Sequence, residues 1–123
     1  MAQEQEQKKP DQAWPESLDA MTAAAEHHRV LLENERVRVL DAWIAPGDTV
    51  PLHTHRWPGV IYVLGTSDFV RYDADGRVVL DSRTLPSKIE RGDVLWSPPL
   101  HPHRLQNTGE TELRVITVEL KEP

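Results

Sequence analysis

The chain has no cysteine, no long apolar run and no excess of basic residues among its 123 positions. The absence of cysteine excludes disulfide bonds, thiolate metal sites and cysteine nucleophiles. The longest apolar run, residues 60–64, is far shorter than the roughly 20 residues of a membrane-spanning helix, so we expect no membrane partner. A formal net charge of −6 argues against nucleic acid as a partner, because sequence-independent binding requires a basic surface.

The composition predicts one soluble domain preceded by a short tail. Hydrophobic residues make up 38% of the chain and charged residues 28%, which is typical of globular proteins. Residues 1–12 are almost entirely polar, so we expect a disordered tail there and a single domain over 13–123. The first residues contain no apolar stretch of the kind found in secretory signals, and we therefore expect a cytoplasmic protein.

Turn-forming residues divide most of the chain into short β-branched or aromatic segments. The ten prolines favour short strands joined by turns over long helices. Turns are predicted at 45–48, 75–76, 91–93 and 107–110. Strand-like segments lie at 36–44, 59–65, 68–81, 94–96 and 113–120. Strands that recur about every 8 to 12 residues are typical of an all-β sandwich or barrel.

A short helix is predicted over about 15–27, ahead of a barrel over about 28–121. Pro15 suits the first turn of a helix, and Leu18, Met21 and Ala24 share an apolar face. We expect the helix to end near residues 27–28, where two histidines suit a helix C-terminus, and to pack against the outside of the barrel.

Four of the six histidines form two His-x-His pairs, His53/His55 and His101/His103. Because alternate residues of a strand point to the same side, each pair can converge on one point inside a barrel. Converging neutral imidazoles suit a divalent first-row transition metal. The alternative is that each pair lies at a polar strand end in water. Two pairs, each directly after a turn marked by glycine or proline, favour the metal site.

Two segments around these pairs resemble the paired motifs of the cupin superfamily. GDTVPLHTH, residues 47–55, matches the opening of the first motif, and GDVLWSPPLHPHRLQN, residues 92–107, matches the second. Only Leu100 departs from the second motif, at a position usually taken by glycine. The resemblance covers roughly residues 30–120 and implies a jelly-roll barrel, the double-stranded β-helix. It also implies a metal inside the barrel near one mouth, with His53, His55 and His103 as ligands.

The first motif lacks the glutamate that cupins usually supply, and Gly59 stands in its place. Three neutral histidines would leave a bound divalent ion with its full charge of about +2. Such a site favours a substrate that brings its own negative oxygen, such as an enolate or a carboxylate. Some metal-dependent dioxygenases of the superfamily work with three histidines, so the resemblance still implies one metal per chain. Fe(II) is favoured, with Ni, Mn, Cu or Zn as alternatives.

His101 is an addition to the motif. Strand alternation places it on the side of the ligands, where it would be a fourth ligand or an acid/base group suited to neutral pH. The alternative is an exposed histidine on the loop that precedes the strand.

The same alternation predicts the walls of a pocket next to the metal. Gly59, Ile61 and Val63 should share one face, and Leu105 should share a face with the ligand of the second motif. The cavity would then be mostly apolar with a polar end, as small-molecule sites usually are. Trp57 would cover its mouth or, alternatively, pack at the rim or against another subunit.

Three functions fit these features. The first is a small-molecule metalloenzyme of dioxygenase or isomerase type that acts on an anionic or enolisable substrate. The second is a non-catalytic small-molecule-binding or sensory protein, and the third is a structural or partner-binding barrel whose histidines no longer bind a metal. Because small cupins often dimerise, we also expect a homodimer.

Overall fold

The computed structural model describes residues 14–122, in which nine strands follow a short helical segment. The predicted N-terminal helix is present as three short pieces. Helix α1, Ala20–Ala23, lies between two 3-10 turns, Glu16–Leu18 and Ala25–His27. The strands are β1 (His28–Glu33), β2 (Val37–Ile44), β3 (Thr49–His55), β4 (Gly59–Gly65), β5 (Phe69–Asp73), β6 (Val78–Asp81), β7 (Val94–Ser97), β8 (Leu100–Asn107) and β9 (Leu113–Leu120).

The strands form two antiparallel sheets, in agreement with the predicted jelly roll. The five-stranded sheet has the order β1-β2-β9-β4-β7, and the four-stranded sheet has the order β3-β8-β5-β6. Neighbours within each sheet are mostly distant in sequence, as in β9, which pairs with both β2 and β4. The ends of the chain and its middle are therefore brought together in one sheet.

Glycines occupy the turns that the sequence predicts. Gly47 has a φ of 80°, and Asp48 N donates a 3.0 Å hydrogen bond to the carbonyl of Ala45. This agrees with the predicted type II turn, which requires a positive φ at its third residue. Gly76 has a φ of 86° in the turn between β5 and β6. Each turn reverses the chain between strands that pair or that belong to opposite sheets.

The helical segment packs against the barrel through small residues. Ala20 and Ala24 are buried, and Ala24 belongs to a core cluster with Ile44 and Val50. Asp19, at the start of α1, forms a parallel bridge with Thr54 of β3. The segment is thereby fixed beside the strand that carries the first His-x-His pair.

Strands β3 and β8 pair with two irregularities. Register partners are Val50 with Leu105, His53 with His103 and His55 with Leu100. One residue is therefore extra on β3 between the first two partners, and one is extra on β8 between the last two. Each irregular stretch contains a proline, which has no N–H to donate to the ladder.

The predictions of a disordered tail and of no membrane-spanning helix are considered last. The predicted tail, residues 1–12, lies outside the described residues. Within residues 14–122, the helical pieces are all too short to cross a membrane.

Candidate metal centre

Four imidazoles meet where the two sheets face each other. The ligand atoms of His28, His53 and His55 all lie within 4.8 Å of one another. The fourth ring, that of His103, has its centroid 4.2 Å from that of His53 and 5.9 Å from that of His55. His53 and His103 face each other across β3 and β8, whereas His28 enters from the start of β1.

Each of the four rings has an acceptor at Nδ1. Nδ1 lies 2.9 Å from the Ala24 carbonyl in His28, 2.7 Å from the Pro51 carbonyl in His53 and 2.7 Å from the His101 carbonyl in His103. In His55 it lies 2.8 Å from Oε2 of Glu119. Because these oxygens can only accept, Nδ1 carries the proton in every ring. The lone pair of a neutral ring is then on Nε2, as metal binding by these rings requires.

Burial keeps three of the rings neutral. Desolvation, followed by the charge of His55, lowers the pKa of His28 to about 4. Desolvation and the neighbouring histidines lower the pKa of His53 to about 2, and desolvation with His55 lowers that of His103 to about 3. These histidines therefore need lose no proton to bind a metal ion near neutral pH.

Glu119 connects the cluster to a chain of buried charges. Its Oε1 accepts a 2.6 Å hydrogen bond from Nε of Arg38, and Arg38 donates two further bonds of 3.0 Å to the carboxylate of Asp19. Burial alone would raise the pKa of Glu119, but its bonds with His55 and Arg38 outweigh burial and lower it. An ionised carboxylate thus stands behind His55, an arrangement that fixes a ligand ring and increases its basicity.

The cluster forms part of the wall of an interior cavity of about 370 Å³. Most of the other side chains on the wall are apolar, including Ile44, Val50, Ile61, Val63, Phe69 and Leu105. A cavity of this size and character is typical of a site for a small molecule. The polar end of the cavity is the imidazole cluster.

The residues present fit a metal ion. Imidazoles bind a first-row metal at about 2.0–2.1 Å, so two ligand atoms of one ion lie about 3–4 Å apart. The 4.8 Å limit on the spacing within the cluster is close to this distance. Burial keeps His28 and His53 neutral, no hydrogen bond from residues 14–122 engages Nε2 of the three rings, and Nδ1 of each ring is held by an acceptor. The three-histidine cluster can therefore hold a metal.

Comparison with known families identifies the chain. The profile of the cupin domain matches residues 40–119, which is well over half of the chain. The chain belongs to the cupin family. The predicted resemblance is thus confirmed, and with it the jelly-roll fold.

Solved cupins show the same fold at low identity. A cupin domain from Bordetella pertussis Tohama I is 24% identical, with a TM-score of 0.64, and the match covers 77% of this chain and 92% of that one. The polyketide cyclase RemF from Streptomyces resistomycificus is 23% identical, with a TM-score of 0.51, over 77% of this chain and 64% of that one. An uncharacterised protein of Methanocaldococcus jannaschii is 22% identical over 72% of this chain. The match spans 64% of that relative, just under two thirds of its length.

Backbone packing explains why this cupin has glycine where a glutamate is usual. A Cβ atom at Gly59 would lie 2.6 Å from the carbonyl oxygen of Val118, closer than real contacts allow. Gly59 pairs in register with Glu119, and Glu119 pairs with Arg38 on its other side. The strand next to Gly59 thus supplies an acid. That acid bonds a ligand ring and an arginine with its two oxygens, so it supports the site without being a ligand.

The structure does not bring the His101 ring into the cluster. The ring is exposed, and its centroid lies 4.9 Å from that of Trp14. The extra residue on β8 between Leu100 and His103 breaks the alternation on which its predicted placement depends. His101 contributes to the cluster through its backbone carbonyl, which accepts a hydrogen bond from Nδ1 of His103.

The predicted pocket residues divide into two groups. Ile61, Val63 and Leu105 line the cavity, whereas Gly59 and Trp57 do not. The indole of Trp57 instead packs against the cations of Arg56, Arg38 and Lys121, which lie 4.4, 4.9 and 5.3 Å from its ring centroid. Trp57 therefore belongs to the charged surface beside the barrel rather than to the mouth of the cavity.

Sequence reasoning missed His28 and Glu119. His28 is 25 residues before His53 (53 − 28), in no motif, and nothing local distinguishes it from a helix-end histidine. The position of Glu119 could have been inferred from strand alternation. It lies on the same face of β9 as Leu113, Val115 and Thr117, which all line the cavity. An acid on the inward face of an apolar strand needs a buried partner.

We expect Glu119→Gln to weaken metal binding about tenfold to a hundredfold, because the neutral amide no longer holds and polarises the His55 ring. The measurement is Zn²⁺ affinity by competition with a chelator. Glu112→Gln is the matched control, because it removes the same charge at an exposed position just before β9. Equal affinities in the two variants would contradict the role of Glu119.

We also expect acid to destabilise the metal-free protein at a pH where carboxylates remain ionised. His28, His53 and His103 have folded pKa values of about 4, 2 and 3, but in the unfolded chain they take up protons as the pH falls through about 6.5. The unfolded state then binds more protons, so the free energy of unfolding falls as the pH falls below about 6.5. The decrease is at most about 1.4 kcal/mol per pH unit for each histidine.

Urea unfolding between about pH 7.5 and pH 5 measures this dependence, since carboxylates titrate mostly below that window. His101→Ala is the control, because it removes an exposed histidine that lies outside the cluster. His28→Asn should show a shallower dependence on pH. The same slope in His28→Asn and in the wild type would argue against the buried neutral state of His28.

Proposed function

We propose that this cupin binds one divalent transition metal through His28, His53, His55 and His103 and uses it for chemistry on a small molecule. The observation that carries the proposal is the common state of the four rings, each with Nδ1 on an acceptor. Four rings of the same tautomer at the wall of one cavity are what a metal site requires. A structural barrel would have no need to bury several neutral histidines together.

Four imidazole ligands favour a first-row ion, and Fe(II) is our preferred metal. When bound, it would act as a Lewis acid that polarises a substrate oxygen and as a template for that substrate. The imidazoles add no negative charge of their own, and the nearest carboxylate, Glu119, is engaged by His55 and Arg38. A substrate that carries an enolate or carboxylate oxygen therefore suits the site best.

The chain's own residues define how a substrate would be held. The apolar wall excludes water and takes the non-polar part of the molecule, and the imidazole end takes its negative oxygen. The charge chain behind His55 fixes that ligand ring. We propose a reaction of dioxygenase or isomerase type, since reactions of both types can proceed from an enolised or anionic substrate.

The first test is metal binding by full-length protein produced without a histidine tag. We expect about one equivalent of metal, and at least a hundredfold loss of Zn²⁺ affinity in His53→Ala and in His28→Ala, because each removes a ligand rather than a partner behind one. His101→Ala is the control and should retain affinity. Normal affinity in His28→Ala would restrict the site to the histidines of the two motifs. Less than a tenth of an equivalent, without uptake on titration, would overturn the metal site.

The second test concerns catalysis. Oxygen consumption and product formation by the Fe(II)-loaded protein are measured with diketones, flavonols and thiol carboxylates, and His53→Ala is the blank. We expect turnover of an enolisable or anionic member of this panel. Binding without turnover across the panel would favour the alternative, a small-molecule-binding or sensory cupin, over an enzyme.

A homodimer in a cytoplasmic setting remains part of the proposal. Strand β1 exposes Leu31 and Leu32, and at the opposite edge of the same sheet β7 exposes Val94 and Trp96. Exposed apolar side chains at a sheet edge suit contact with a second copy.

A further inference from the structure

The cavity contains a cation that neither motif predicts. Arg71 lies on β5 and lines the cavity. Its Nε is buried and has no hydrogen-bond partner among the described residues, 14–122. In native proteins a buried polar group is nearly always paired, so an unpaired one calls for an explanation.

Two other arginines, the exposed Arg114 and the buried Arg38, are paired with acids. Arg114, which also lines the cavity, donates bonds of 3.1 and 2.7 Å to Asp41. Arg38 is held by Asp19 and Glu119. Within the described part of the chain no acid forms an ion pair with Arg71. Of these three arginines, only Arg71 has no acidic partner within the described residues.

Arg71 belongs to the same interior face as the imidazoles. It pairs in register with Leu105 of β8, and His103 is two residues further along that strand on the same side. Such diagonal neighbours lie about 7–8 Å apart, within reach of a long side chain. The charge of Arg71 also lowers the pKa of His103, in agreement with this proximity. Burial lowers the pKa of Arg71 itself, since water no longer solvates the guanidinium.

We propose that Arg71 binds the carboxylate of the small molecule that the cavity takes, so that the molecule spans from this guanidinium to the histidine cluster. A carboxylate is planar and matches the fork of a guanidinium through two parallel hydrogen bonds. The apolar wall beside Arg71, which includes Phe69 and Leu80, accommodates the carbon chain. The proposal rests on the small-molecule function proposed above and specifies its substrate as a carboxylic acid.

The test uses 3-phenylpropanoate and its neutral amide as probes, with full-length protein both metal-free and loaded with Zn²⁺. Dissociation constants are measured by calorimetry. We expect the wild type to bind the carboxylate at least about tenfold more tightly than the amide in both forms, because a charged hydrogen-bonded pair replaces a neutral one. No preference in the wild type would overturn the proposal.

Substitutions of Arg71 test whether this arginine causes the preference for the carboxylate over the amide. Arg71→Gln should reduce it to less than about threefold, and Arg71→Lys should restore part of it, since lysine keeps the charge without the fork. Arg104→Gln is the matched control: it removes the same charge from an exposed position next to His103 and should keep the full preference. A full preference in Arg71→Gln would place the carboxylate on the metal or elsewhere and would overturn the proposal.

An NMR measurement and a metal analysis make the test independent of the folding of the variant and of the metal site. Should Arg71→Gln fail to fold, the Nε–H signal of Arg71 in the NMR spectrum of the wild type reports directly. It should shift on addition of 3-phenylpropanoate and not on addition of the amide, and an unmoved signal would overturn the proposal. Zn²⁺ content is measured in the same samples. Loss of metal with a retained carboxylate preference would count against the metal function alone.

Discussion

The buried carboxylate of Glu119 is the group on which the rest of the site depends. It is 1% exposed, and it joins His55 of one sheet to Arg38 of the other. Through Arg38 the connection extends to Asp19, at the start of α1. Removing one member of such a buried pair typically costs about 3–5 kcal/mol, because the other charge is left without a partner. The helical segment, both sheets and a ligand ring are thus held by one continuous set of ionic hydrogen bonds.

This chain of charges also places an acid close to the cluster although the usual glutamate is absent. The carboxylate of Glu119 contacts Nδ1 of His55, on the side of the ring opposite Nε2. It can therefore orient and polarise His55 without occupying a coordination position. His28, brought in by β1, adds an imidazole where the motif residues supply three. The cluster therefore gains a donor from a neighbouring strand and keeps an anion close by. The close approach of β4 to β9 beside Glu119 depends on Gly59, since a side chain there would collide with the backbone of β9.

Much of the fold was predictable from the sequence, because turns and strand alternation are local properties. Glycines at positive φ mark the turns, and two gapped motifs place His53, His55 and His103 on facing strands. Local patterns also predict that Ile61 and Leu105 face inward.

The sequence could not predict what depends on register between distant strands. The single extra residue on β8 turns the His101 side chain outward. The only local sign of this bulge in the sequence is Pro102, and a proline is not specific to bulges. His28 reaches the cluster only because β1 pairs with β2 at one edge of the sheet. The sequence does not distinguish Arg71 from any other strand residue, because only the structure shows that it lines the cavity.

The arrangement of charge in the cavity follows from these same constraints. Burial keeps the imidazoles of His28, His53 and His103 neutral, and Arg71 adds a positive group on the same interior face. Between them lies an apolar wall that cannot solvate either. The acid behind the cluster, Glu119, is already engaged by Arg38 and His55. This combination of neutral imidazoles, a buried cation and an apolar wall is the basis of the proposal that the cavity takes an anionic ligand.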